Sequence, residues 1–268
     1  MALPLRDDTP TRTVPWLTLG LILVNVVVFL SLQPAVFQGG GTDRSDLDRS
    51  QETATIRYEL QWGVVPCELS HGKPLSEGIR CSGERTPVAP ADGKVVFLSL
   101  LTYMFIHGSL LHLAGNMLFL WVFGAAVEDR LGPVPFGLLY LATGVVAVLG
   151  EAAFHWHDAV PVLGASGAVA GLMGAYLVFR PRGRILSLVL WTVVYVPAWV
   201  LLVLFFVTQF LTPDSDGVAW EAHAVGMAAG FLLALGLARI FPDPLAPVAA
   251  PPAPSVAAWT FPAGPPAA

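Results

Sequence analysis

What most limits the fold of this chain is a series of long apolar runs, nearly free of charge, parted by short polar or glycine- and proline-marked breaks. The first covers residues 14–32, enough to cross a bilayer, which takes about 20 predominantly apolar residues. Further runs at 109–127, 133–153, 163–179, 185–211 and 218–240 are each read as a spanning helix. The fifth carries aromatic residues and Pro197, so it is expected to tilt or kink. The run at 95–106 is too short to span and reads as a re-entrant or interfacial piece. The expected architecture is therefore an all-α membrane protein with six spans over residues 14–240 and a long first loop at about 39–108.

Composition supports this: 55% of residues are hydrophobic and 12% charged, against about 25% charged in ordinary soluble domains. Acidic residues outnumber basic ones, 19 to 14, and no basic cluster tracks an aromatic face, which argues against nucleic acid as a partner. The lipid bilayer is the expected surrounding. The 14–32 run reads as a retained anchor, because it exceeds a signal-peptide core and no small-x-small cleavage site follows it. Residues 241–268 are rich in Pro and Ala and read as a disordered tail without chemistry of its own.

Six spans place both ends on one side. Arg180, Arg182 and Arg184 crowd one short loop, whereas the short loops near 154–160 and 212–217 contain no Lys or Arg. The positive-inside rule then puts the segment 1–13 and the tail in the cytoplasm, and the long first loop outside. That loop is polar from 39 to 94, and its residues 58–63 mix aromatic, charged and amide side chains as a segment at the membrane surface would. Cys67 and Cys81, the only cysteines, both lie in it. An extracytoplasmic location would permit one disulfide, and two thiols fall short of the four ligands of a structural zinc site.

Against this frame, Gly164-Ala165-Ser166-Gly167 stands out: a serine between glycines just inside the outer end of the fourth span. His223 lies at a similar depth in the sixth span, and His112 and Asn116 in the second, all roughly 5–8 Å below the outer surface at a rise of about 1.5 Å per residue. His112 and Asn116, four apart, share a helix face; so do His223, Gly226 and Gly230. Gly167, Gly171 and Gly174 repeat that spacing on the fourth span, so the two glycine-lined helices are expected to pack closely enough to bring Ser166 to His223. Alone, a serine in a glycine-rich helix more often serves packing and a glycine stripe nearly always does, whereas an intramembrane His or Asn is functional by default because an unpaired polar group is costly there; their coincidence at one depth points to chemistry. A serine hydroxyl needs a base, which histidine supplies, and the resulting oxyanion needs fixed donors, here the Ser166 N–H, Asn116 and His112. Glu221 lies two residues before His223 and Asp158 lies in a loop, so a Ser–His dyad without a third carboxylate is expected.

These residues resemble the rhomboid family of intramembrane serine proteases. The likeness extends over about residues 58–240 and rests on His107-x4-His112-x3-Asn116, Gly124, Glu128-x3-Gly132, Gly164-Ala165-Ser166-Gly167 and Ala222-His223-x2-Gly226-x3-Gly230. It implies a compact six-helix bundle, Ser166 and His223 as catalytic dyad, His112, Asn116 and the Ser166 amide as oxyanion site, and Gly164, Gly167, Gly226 and Gly230 as close-packing positions. It also implies a water-filled pocket opening outward, cleavage of other transmembrane proteins, residence in the plasma (inner) membrane, and no cofactor or metal. Two positions depart from the family pattern: Ala170 stands where many relatives have an aromatic beneath the histidine, and Trp62 is followed by Gly63 rather than Arg. A small transporter is the rival from another class, yet paired midplane charges and inverted repeats are missing from the sequence. A non-catalytic rhomboid-like protein that binds client helices is the rival within the fold. His-Glu-x-x-His and Gly-x-Gly-Asp, the marks of other intramembrane proteases, are absent.

Overall fold

The computed structural model describes residues 2–9, 11–33, 46–81, 93–211 and 219–241. The tail from 242 onward and the loop at 212–218 lie outside these residues.

The chain opens with strand β1 (Ala2–Asp7) and helix α1 (Trp16–Ser31). No side chain within α1 caps its first turn. Glu128 does so from across the molecule, accepting from the N–H groups of Leu17 at 2.9 Å and Thr18 at 2.7 Å. Neighbouring Asp129 accepts from the N–H groups of Arg12 and Thr13 at 2.7 and 3.0 Å.

The first loop is a folded subdomain. It contains α2 (Asp46–Trp62) and α3 (Pro66–His71), the latter started by Pro66 and stopped by Gly72 at φ 64°. Cys67 and Cys81 form a disulfide with Cα atoms 5.8 Å apart. Lys94 and Glu68 form an ion pair with both side chains 1% exposed, and the Lys94 ammonium also donates to the carbonyls of Leu60 and Gly63 at 2.6 and 2.9 Å. A charge so deeply buried is tolerable only with its partners in place.

The apolar stretch before the second span is a short compound helix, α4 (Ser99–Thr102) flanked by 3-10 turns at Val96–Leu98 and Tyr103–Phe105. Helix α5 (Leu110–Phe119) passes through a π turn at Leu120–Gly124 into α6 (Ala125–Leu131), one continuous apolar helix that ends at Gly132. Gly132 adopts φ 81°, a value that favours glycine, and Pro133 begins α7 (Pro133–Phe154). Helix α8 (Ser166–Phe179) follows, and α9 (Ala198–Leu211) and α10 (Trp220–Ile240) close the described chain. Leu110–Leu131, Pro133–Phe154 and Trp220–Ile240 are long and apolar enough to cross a membrane. Trp16–Ser31, Ser166–Phe179 and Ala198–Gln209, within the other three expected spans, are shorter apolar helices. Exposed Leu23 and Leu30 on α1, Val134 and Leu138 on α7 and Leu232 on α10 present the apolar outer surface of an integral membrane protein.

The fifth expected span needs correction. Residues Arg184–Val189 and Thr192–Pro197 are strands β2 and β3, and β1 pairs with β2 to make an antiparallel sheet ordered β1-β2-β3. The fold is thus not wholly α, and the helix begins only at Ala198. Hydropathy registers that a run is apolar but not its period. Ile185 and Ser187 alternate inward along β2, and Thr192-Val193-Val194-Tyr195-Val196 strings together residues that fit a pleated surface. Leu190 and Trp191 both take positive φ, 44° and 70°, as a two-residue hairpin loop requires. Pro197 ends a strand at the sheet edge and kinks no helix.

The most extensive helix contact is between α8 and α10, with α7 packed against both. A Cβ on Gly226 would overlap the Gly167 carbonyl, one on Gly230 the Gly171 carbonyl, and one on Gly174 the Met227 carbonyl. Backbone meets backbone along this seam.

Candidate active site

The upper end of the α8–α10 seam gathers the singled-out residues. Gly164, at φ 112°, turns the chain into α8 while its N–H donates to the Tyr103 carbonyl at 2.9 Å. Just before it, Val64 and Val162 exchange backbone hydrogen bonds of 3.1 and 2.7 Å, which ties the first-loop subdomain to this segment. Gly63 is part of that tie, since a Cβ there would lie 2.6 Å from Leu163 Cδ2. Ser166 is the first residue of α8, so it sits at the helix N-terminus, among backbone N–H groups that have no partner within the helix. The sequence had suggested a position about a turn deeper in a longer helix.

Two side chains of α5 converge over Gly164. A Cβ at Gly164 would lie 2.8 Å from His112 Nε2 and 3.5 Å from Asn116 Nδ2, so glycine is needed there for space as well as for conformation. Asn116 is buried, and its Nδ2 has no hydrogen-bond partner among the described residues. Leaving such a donor unpaired costs about 1–3 kcal/mol. Ser109 starts α5 by accepting from the His112 N–H at 3.1 Å. Fully buried His107 packs edge-on against His112, ring centroids 5.1 Å apart, and its own backbone is held by the side-chain amide of Gln33.

His223 lies buried in the first turns of α10, one residue from Ala222, whose carbonyl faces Gly167. Its Nδ1 is 3.0 Å from Gln209 Oε1, and its ring centroid is 5.5 Å from that of Phe205. Both partners belong to α9. Position 170 on α8 is an alanine, and the ring that meets the imidazole is that of Phe205 on the neighbouring helix. Among the described residues, no hydrogen bond joins Ser166 to His223, and no carboxylate hydrogen-bonds the imidazole. Sequence reasoning passed over Gln209, although an amide in the apolar run 198–211 was itself a signal, since polar groups are costly there.

The nearby carboxylates are otherwise engaged. Glu151 Oε2 accepts the Ala222 N–H at 3.2 Å and so caps α10. Glu221 Oε1 lies 3.3 Å from His155 Nε2, and Asp158 Oδ2 lies 3.2 Å from His155 Nδ1. Burial alone would lower the His155 pKa, but the hydrogen bond to Glu221 and the charges of Glu151, Glu221 and Asp158 outweigh it and raise it. Glu151, His155 and Glu221 offer ligand atoms within 4.8 Å of one another, the one grouping of metal-ligand type among the described residues. Within it the single imidazole of His155 already faces three carboxylates, those of Glu151, Asp158 and Glu221.

An apolar cleft of about 490 Å³ between α1 and α7, lined by Trp16, Leu17, Val134 and Leu138 among others, carries no reactive side chain.

A family model described as Rhomboid domain matches residues 95–240, more than half of the chain. The chain belongs to the rhomboid family. His107, His112, Asn116, Ser166, Gln209 and His223 all fall within the rhomboid match, whereas β1 and α1 to α3 precede it. Rhomboid protease GluP of Bacillus subtilis is 36% identical over 110 residues, which are 41% of this chain and 21% of that protein. The human presenilin-associated rhomboid-like protein, mitochondrial, is 36% identical over 172 residues, 56% of this chain and 44% of that one. Putative rhomboid protease YdcA of B. subtilis is 32% identical over 139 residues, 50% of this chain and 64% of its own length. This rhomboid chain thus spans less than two thirds of the length of each of these relatives.

Proposed function

We propose that this chain is an intramembrane serine endopeptidase that hydrolyses peptide bonds in or near transmembrane segments of other membrane proteins. The observation that carries this reading is the convergence of His112 Nε2 and Asn116 Nδ2 on Gly164, two residues before a serine at a helix N-terminus. Ser166 Oγ attacks the scissile carbonyl carbon and His223 takes the hydroxyl proton. The carbonyl oxygen becomes an oxyanion that accepts from Asn116, His112 and the Ser166 N–H. Collapse breaks the C–N bond as the imidazolium gives its proton to the leaving amine, and water, deprotonated by the same histidine, then releases the acyl group from Ser166.

The accompanying topology is a six-helix bundle with both termini cytoplasmic in the plasma membrane. That the two ends share one side is supported by the ion pairs of Arg180 with Asp7 and of Arg184 with Asp8, at 2.9 and 3.2 Å, and by the hydrogen bond from Arg130 to the Phe241 carbonyl, at 2.5 Å. These contacts gather both ends of the described chain at the arginine-rich end of the molecule.

One observation favours a non-catalytic, client-binding reading: Ser166 and His223 share no hydrogen bond among the described residues. In unliganded enzymes such contacts are often long and tighten with substrate. Labelling of Ser166 by a fluorophosphonate, together with cleavage of a reporter transmembrane substrate by the Ser166→Ala and His223→Ala variants, decides the matter. Labelling of the parent chain and loss of cleavage in both variants are expected; unlabelled Ser166 in a folded chain with no turnover supports the client-binding reading.

A further inference from the structure

Gln209 follows Phe205 by four residues, so the two share one face of α9. Both meet the same imidazole, Phe205 through its ring at 5.5 Å and Gln209 through an oxygen 3.0 Å from Nδ1. An amide oxygen can only accept, so the proton in this hydrogen bond belongs to Nδ1, and the neutral ring keeps its lone pair on Nε2. We propose that Gln209 is a positioning residue for catalysis, holding His223 in the tautomer whose Nε2 can take the proton of Ser166.

The assignment rests on the reading of His223 as general base. Gln209 touches no reacting atom; it acts through the imidazole. When Ser166 gives its proton to Nε2, the ring becomes an imidazolium and the Nδ1–H bond to Gln209 becomes charge-assisted, and thereby stronger. An uncharged acceptor does this without the desolvation penalty that a carboxylate would incur in a lipid-surrounded site. The acidic side chains near the start of α10 are committed elsewhere, Glu151 to the Ala222 N–H and Glu221 and Asp158 to His155. Phe205 fixes the plane of the ring from the same helix, and the ionisable neighbour of His223 is His112 on α5.

The test uses the full chain in lipid vesicles with a reporter transmembrane substrate. Gln209→Leu removes the acceptor at similar volume; Gln209→Glu keeps an acceptor and adds charge. For Gln209→Leu, kcat is expected to fall by at least about tenfold, a part of the roughly 10²–10⁴-fold that a positioned base contributes, with KM unchanged. For Gln209→Glu, activity is expected to persist, and the acid limb of its pH profile to move to higher pH, because a carboxylate stabilises the imidazolium. Wild-type kcat in folded Gln209→Leu overturns the proposal, as does an unmoved acid limb in Gln209→Glu. Should the leucine variant fail to fold, the acid limb of the glutamate variant decides alone. His223→Ala separates the two readings. If that variant keeps full turnover, the base assignment falls and Gln209 with it; if it is inactive while Gln209→Leu is fully active, only the role of Gln209 falls.

Discussion

Gly226 on α10 faces the carbonyl of Gly167 on α8 so closely that a methyl group at Gly226 would occupy the space of that oxygen. Ser166 and His223 are carried on the same two helices, in their first turns, so their approach is set by this contact. Gly226→Ala is expected to push the helices apart and to cost more than the roughly 1–3 kcal/mol typical of overpacking, because backbone and not a movable side chain is in the way. Gly236, where an added Cβ meets nothing within 4 Å, provides the control: Gly236→Ala should leave stability unchanged or slightly raised. Denaturant unfolding of the two variants in matched detergent checks this.

Removal of the orphan amide donor near Gly164 should lower the rate without emptying the site. Asn116→Ala is expected to reduce kcat by about 10²–10³-fold, or roughly 2.7–4 kcal/mol, as loss of one oxyanion donor does. Fluorophosphonate labelling should slow in parallel while the fold, followed by thermal unfolding, is kept. Equal rates for variant and parent would remove Asn116 from the mechanism.

At the opposite end of the bundle, Glu128 Oε2 accepts from both the N–H and the hydroxyl of Thr18 at 2.7 Å, in addition to the bond from the Leu17 N–H to Oε1. Glu128→Ala leaves these groups buried and unpaired, and should destabilise by at least about 1.5–3 kcal/mol, the worth of a hydrogen bond to a charged group. Limited proteolysis should show α1 detaching first, since its first turn has no cap of its own.

His155 offers a pH signature. Its raised pKa means that the folded state favours the protonated ring, so this contribution to stability is full below about pH 6.5, the unperturbed value, and is lost as pH rises through the higher native value. His155→Gln should flatten the pH dependence of the unfolding midpoint across neutrality. A parent protein whose midpoint does not fall over that range would show that the Glu151, Glu221 and Asp158 carboxylates do not hold the ring charged.

Sequence alone was enough for what depends on near neighbours along the chain. Helical hydrogen bonds close within four residues, so the apolar runs, the spacing of Gly226 and Gly230, and the shared face of His112 and Asn116 were legible before any coordinates. The serine, the histidine and the motifs around them led to the rhomboid family by the same route. Tertiary structure decided whatever needs a distant partner. Residues 185–197 became strands because β2 pairs with β1 from the other end of the domain, Ile185 lying opposite Asp7, and no local period names such a partner. Glu128 became a cap and His223 found Gln209, because a buried polar group must be satisfied by whatever the packing brings to it. Spacing in the chain can say that a polar side chain will need a partner, but only packing says which one it gets.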